Sequence, residues 1–287
     1  MSRHPKLPAA GKVELVKLVP LPALGVDPAM MIQRVGETVT GNPLEACFVG
    51  AGTEGARLAG RLAAVQSLGR DPSAAMAIDL ATGADPLMGA LASCHLVFIA
   101  GDAPDPAFMA LREALLKSVS HSRTGRPRLI VTILRETTGY SMESVKPGPG
   151  ECVVTRAHGD DPLPLILDIY SALKLQGIIC VDLADVELMT AGKKGIMAVV
   201  RGATPERIVE GIGQDRRIRA ALSDARTAFA VFSMDIDTCV TLEQVSDMGD
   251  ALRLMPGAPP DLLDLCLAAD VIRTVPEGFR AAMIICG

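Results

Sequence analysis

The sequence contains no tryptophan, and aromatic residues fill only 3% of its 287 positions. Stacking platforms for single-stranded nucleic acid are therefore scarce, and a core has to be assembled chiefly from Ala, Val, Leu, Ile and Met. An excess of positive charge is also missing: 28 Lys and Arg stand against 33 Asp and Glu, for a net charge of -5. Without a basic stripe accompanied by aromatics, nucleic acid is not expected as a partner. No run of about 18 apolar residues occurs, so no membrane-spanning helix is expected. The opening Met1-Ser2-Arg3-His4-Pro5-Lys6 is basic, but no sustained apolar stretch follows it, which argues against a secretory leader. The seven cysteines (Cys47, Cys94, Cys152, Cys180, Cys239, Cys266 and Cys286) show no C-x-x-C spacing. An odd, scattered set points to free thiols in a reducing compartment and away from a disulfide framework or a zinc site. No Ser/His/Asp or Cys/His arrangement is discernible. These absences point to a cytoplasmic, soluble protein.

Apolar residues make up 49% of the chain, enough for one large α/β domain or two modest ones. Residues 1–44 read as an N-terminal extension: a short strand at 13–19, a helix at 28–34 started by Asp27-Pro28, then a break at Gly41-Asn42-Pro43. From Ala46 the pattern alternates. Strands are expected at 46–49, 74–79, 96–100, 129–134 and 152–155. Helices are expected at 54–68, 86–93, 106–118 and 162–175, the first with Leu58, Leu62, Val65 and Leu68 on one face. Such alternation implies parallel pairing and a doubly wound, mostly parallel sheet. Farther on, strands at 196–201 and 228–234 are followed by helices capped at Thr204-Pro205 and Thr241, and two closing strands lie at 263–272 and 279–286. The expected organisation is an extension (1–44), a Rossmann-like nucleotide-binding domain (45–176) and a smaller α+β domain (177–287).

Two segments carry chemistry. Val49-Gly50-Ala51-Gly52-Thr53-Glu54-Gly55 follows a strand and opens a helix with G-x-G-x-x-G spacing. Glycines allow backbone to approach a phosphate, and the helix N-terminus offers unpaired N–H groups. Asp79 ends the next strand, where a dinucleotide fold places an acid on a ribose hydroxyl. That reading makes the chain an NAD(P)-dependent oxidoreductase; the alternative is a turn that needs glycine only for packing. Glu54 is awkward for any phosphate unless it points outward. In Val181-Asp182-Leu183-Ala184-Asp185-Val186-Glu187, two carboxylates three residues apart straddle a helix start. They suit water activation or plain helix capping.

Taken in order, these segments resemble the FtsZ/tubulin family over nearly all of residues 46–287. Gly50, Gly52 and Gly55 are similar to glycines of that family's first nucleotide loop, with Thr53 between them, and Asp79 falls near the start of its next loop. Leu96-Val97-Phe98-Ile99-Ala100-Gly101 resembles the strand that enters the phosphate signature, and Asp168 is similar in place to a base-recognising Asp. Val181–Glu187 resembles the catalytic loop, in which Asp182 and Asp185 would act on nucleotide held by the next subunit. The resemblance implies a tubulin-like fold, with a nucleotide domain joined by a central helix to a smaller domain. It further implies GTP or GDP as ligand with Mg²⁺, GTPase activity, and partners in the form of head-to-tail copies or an intact FtsZ-like protein.

The phosphate signature itself departs. Where the family has consecutive glycines, this chain has Gly101-Asp102-Ala103-Pro104-Asp105-Pro106. Prolines lack the N–H that a phosphate needs, and the two aspartates add negative charge. Weak or degenerate GTP binding is therefore expected, with a non-catalytic interaction module as a further reading. The chain ends at Gly287, just after the last strand pattern, so the family's adaptor-binding C-terminal tail is not expected.

Overall fold

The computed structural model describes residues 12–17, 45–66, 75–79, 87, 91, 94–102, 105–119, 129–135, 145–156, 160–174, 179, 181–234, 241–255, 264–271 and 278–287. The expected helix at 28–34 and most of that at 86–93 lie outside these residues. The described chain forms two compact units, one drawn from 12–17, 45–163 and 190–195, the other from 164–189 and 196–287.

In the first unit the strands are β1 (Lys12–Lys17), β2 (Ala46–Ala51), β3 (Ala75–Asp79), β4 (Leu96–Gly101), β5 (Leu129–Arg135) and β6 (Glu151–Arg156), arranged β3-β1-β2-β4-β5-β6. The run β2, β4, β5, β6 is parallel. Its strands are almost continuously apolar because both faces are covered, as parallel sheets require. Helix α1 (Gly52–Gln66) packs on β1, β2 and β4. Helix α2 (Pro106–Val119) brings Phe108, Leu111 and Leu115 against Cys47, Val49, Val97 and Ile99. The strand at Lys12–Lys17 is internal to this sheet, antiparallel to both β2 and β3.

The second unit contains β7 (Lys194–Gly202), β8 (Thr227–Met234), β9 (Asp264–Val271) and β10 (Phe279–Cys286), arranged β7-β10-β8-β9. Helices α3 (Leu163–Lys174), α4 (Leu183–Thr190), α5 (Pro205–Gln214), α6 (Arg216–Asp224) and α7 (Leu242–Arg253) accompany it. One face of β8 and β10 presents Ala230, Phe232, Ala281, Met283 and Ile285 to Ile208, Ile212, Ile218, Leu222, Val245 and Leu252 of α5, α6 and α7. The cap at Thr204 forms as its sequence predicts, accepting from Arg207 N, and Thr241 and Gln244 close a capping box. The split between α5 and α6 falls at Asp215, whose carboxylate accepts from the N–H groups of Arg217 and Ile218.

The few aromatics are not spared for a surface. All six phenylalanines (48, 98, 108, 229, 232 and 279) are buried, so the core is less purely aliphatic than composition suggests. Among the described residues, no helix is long and apolar enough to cross a membrane.

Candidate functional site

Parallel α/β sheets bind ligands at the carboxyl ends of their strands, because the connecting turns and helix N-termini gather there. In the first unit four such ends lie side by side. The register pairs Gly50 with Ala100, Gly101 with Leu134, and Arg135 with Arg156. Two strands thus finish in glycine-containing turns and two finish in arginines.

The glycines are tightly constrained. A side-chain carbon added at Gly50 would lie 2.1 Å from the Gly55 carbonyl oxygen, and one at Gly55 would lie 2.5 Å from the Ala100 carbonyl oxygen. Both positions let the start of α1 press onto the ends of β2 and β4. Gly52 opens the helix with φ +68, a left-handed conformation that glycine adopts without strain. The same test carbon there would meet Asp105 Oδ2 at 2.8 Å, so a carboxylate stands over the turn. Thr53 is exposed beside it, and Gly101 abuts the Phe108 ring.

Next to the turn is a cavity of about 240 Å³ lined by Glu54, Arg57, Arg61, Arg135, Arg156, Asp160 and Asp161. Four guanidinium groups against three carboxylates leave one surplus positive charge. Most of this charge is already paired. Glu54 accepts from Arg57 Nε and Nη2, each at 2.7 Å, and is bound by the buried Arg156. Arg156 also donates to the Asp160 carbonyl at 2.6 Å. Arg61 grips Asp161 at 2.7 Å, and Asp161 in turn accepts from Leu163 N at the start of α3. Arg135 Nη2 is 2.9 Å from Asp102 Oδ1 without the angle of a hydrogen bond, and Arg135 Nε has no hydrogen-bond partner among the described residues.

The Arg57 hydrogen bonds lower the Glu54 pKa to about 2; partial burial opposes this, and the charge of Arg156 adds to it. Its place in the first turn of α1 also favours a negative charge. Glu54 thus points into an arginine clamp, which resolves the awkwardness of an acid within the glycine turn.

The remaining expected site residues lie elsewhere. Asp79 ends β3, which is separated from β2 by β1, so the acid sits two strand spacings, roughly 9–10 Å, from the glycine-turn strand. The adjacent-strand geometry of a dinucleotide site is absent. Asp168, on α3 in the second unit, is fully buried, and Arg280 of β10 donates to both its oxygens at 2.7 and 2.6 Å. Burial pushes its pKa up while Arg280 pulls it down. Asp182 and Asp185, both exposed, cap α4 reciprocally: Asp185 N donates to Asp182 Oδ1 at 2.9 Å and Asp182 N donates to Asp185 Oδ2 at 3.0 Å. His95 Nδ1 accepts from Glu45 N, a structural contact.

Sequence reasoning missed Arg135 and Arg156. The expected strands stopped at 134 and 155, one residue short of each. An arginine closing an apolar strand in a parallel sheet was the available signal.

The arrangement can be compared with solved structures. One matching structure is an empty FtsZ dimer from M. jannaschii, 14% identical, covering 73% of this chain and 68% of that one at a TM-score of 0.53. Another is a mutant of M. jannaschii FtsZ, 13% identical, covering 73% and 70% at 0.55. The fold is that of FtsZ. At this identity the likeness extends to the fold alone. No family model matches the sequence, and no curated protein matches it. The glycine turn and arginine cavity occupy the strand ends of the first unit, where an α/β sheet receives its ligand.

Proposed function

We propose that this chain is a tubulin-like cytoskeletal protein with a degenerate nucleotide cleft. It associates head to tail with its own copies or with an intact FtsZ-like protein, binds GTP or GDP weakly, and does not hydrolyse GTP efficiently by itself. The observation that carries this reading is the Asp105 carboxylate standing over Gly52, where the turn would otherwise receive a phosphate.

Magnitudes support weak binding. Two unit charges about 4 Å apart repel by about 4 kcal/mol at an effective dielectric of 20, which corresponds to roughly a thousandfold in dissociation constant. The cavity of about 240 Å³ also falls below the roughly 300–1,000 Å³ common for small-molecule sites, so a whole nucleotide needs the ion pairs to open. Mg²⁺ would relieve the repulsion. Among the described residues no group of three or more His, Cys, Asp or Glu could hold a metal. Asp182 and Asp185 keep their exposed carboxylates at a helix start, a placement compatible with service to a neighbouring subunit. The dinucleotide alternative loses support from the strand interposed before Asp79.

The test combines a GTP-binding titration, GTP turnover, and sedimentation with and without an intact FtsZ-like protein. The expected results are weak binding that tightens in Asp105→Asn by up to about a thousandfold, negligible turnover alone, and co-sedimentation. Brisk turnover by the chain alone, or stabilisation by NAD with none from GTP, would refute the reading.

A further inference from the structure

In the core of the first unit, two cysteines face one another. Cys47 is the second residue of β2, and Cys94 stands two residues before β4, its parallel neighbour. Both are buried in one cluster with Leu87, Leu91 and Val97, at 1% and 3% exposure. No disulfide joins them, and their sulfurs are 2.7 Å apart. A disulfide needs about 2.05 Å, so the remaining gap is within the reach of a small side-chain rotation.

We propose that Cys47 and Cys94 form a redox site that closes into an intramolecular disulfide in the folded protein, with hydrogen peroxide as oxidant. One sulfur, as thiolate, attacks the peroxide; the O–O bond breaks, the sulfur becomes a sulfenic acid, and one water leaves. The second sulfur then attacks the first; the S–O bond breaks, a second water leaves, and the S–S bond forms. The two sulfurs give up two electrons and two protons in all, and the peroxide is reduced to water. The second step benefits from a partner already at contact distance. The first is slowed by the apolar surroundings, which disfavour thiolate, so closure follows local opening of the core rather than the rate of a surface thiol.

The bond would tie the entrances of β2 and β4, the two strands whose far ends carry Gly50 and Gly101. It therefore braces the frame of the glycine turn without touching it. The inference is independent of nucleotide binding, since it rests on core geometry alone.

The full chain, kept native, is treated with hydrogen peroxide, quenched, unfolded, alkylated with N-ethylmaleimide and analysed by mass spectrometry. The expected product lacks two hydrogens and yields a cross-linked peptide joining the Cys47 and Cys94 segments. Dithiothreitol should reverse the cross-link, and the oxidised protein should melt higher. Cys152→Ser should retain the cross-link and Cys94→Ser should lose it; if Cys94→Ser does not fold, the wild-type peptide map still decides. Recovery of both cysteines as alkylated thiols, their oxidation to sulfinic acid without a cross-link, or pairing of either with a different cysteine would overturn the proposal.

Discussion

Removing one partner of the Asp168–Arg280 pair gives the sharpest test of how the second unit is held together. Asp168 is fully buried on α3, and Arg280 projects from β10 on the face opposite the α5–α7 core. Both carboxylate oxygens are taken by the guanidinium, at 2.7 and 2.6 Å. Ser233, paired with Arg280 across β8 and β10, is also buried. Arg280→Met therefore leaves a buried carboxylate without its main partner, at a cost of about 3–5 kcal/mol. Spread over a unit of this size, that lowers the melting temperature by roughly 6–20 °C. Asp168→Leu combined with Arg280→Met should recover most of the loss, because a buried ion pair replaced by apolar groups is often neutral. Scanning calorimetry of wild type, single and double variants measures it.

The pH dependence has a definite sign. Burial raises the Asp168 pKa above its unfolded value, so the associated stability is full below the unfolded value and lost as pH rises through the folded one. Without Arg280 the folded value climbs further. The deficit of the single variant should thus shrink as pH falls from about 7 to about 5, approaching the ordinary carboxylate range. A double variant no more stable than the single one, or a single variant losing under about 1 kcal/mol, would refute the reasoning.

Two further predictions concern the first unit's cleft and the helix start at Asp182. Glu54 should titrate with a carboxyl-carbon NMR midpoint of about 2, and its contribution to stability, present above 4.5, should fade as pH falls toward 2; Arg57→Ala should move that midpoint upward. Asp182→Ala should cost about 0.5–2 kcal/mol in denaturant titration through loss of the α4 cap, whereas Asp182→Asn should retain most of it. The Asn variant also separates capping from catalysis, since GTP turnover in a mixture with an intact FtsZ-like protein should fall only where the carboxylate charge is used.

Local signals in the chain were legible. Apolar runs such as 96–100 and 129–134, the Thr204-Pro205 and Thr241 caps, and the glycine turn at 50–55 depend on neighbouring residues, and each forms where those neighbours place it. The collinear order of these elements carried the FtsZ-like fold. Pairing over long distances was not legible: nothing in Lys12–Lys17 says that it will lie between β2 and β3, because a strand's partner is chosen by the whole sheet. Arg135 and Arg156 were overlooked for a related reason. A charged residue closing an apolar run looks like its solvated end until the neighbouring strands show that both ends converge on one cavity.

Sequence alone therefore determined the alternation of elements, the caps, and the lack of consecutive glycines at 101–106, all of which are matters of local propensity and backbone chemistry. Tertiary structure alone decided what the charges do. Glu54 became part of an arginine clamp, Asp168 a buried tie to Arg280, Asp182 and Asp185 a reciprocal cap, and Asp105 a lid over Gly52. An ionisable side chain takes its role from burial and from the charges within a few ångströms, and those neighbours lie as many as 112 positions away along the chain.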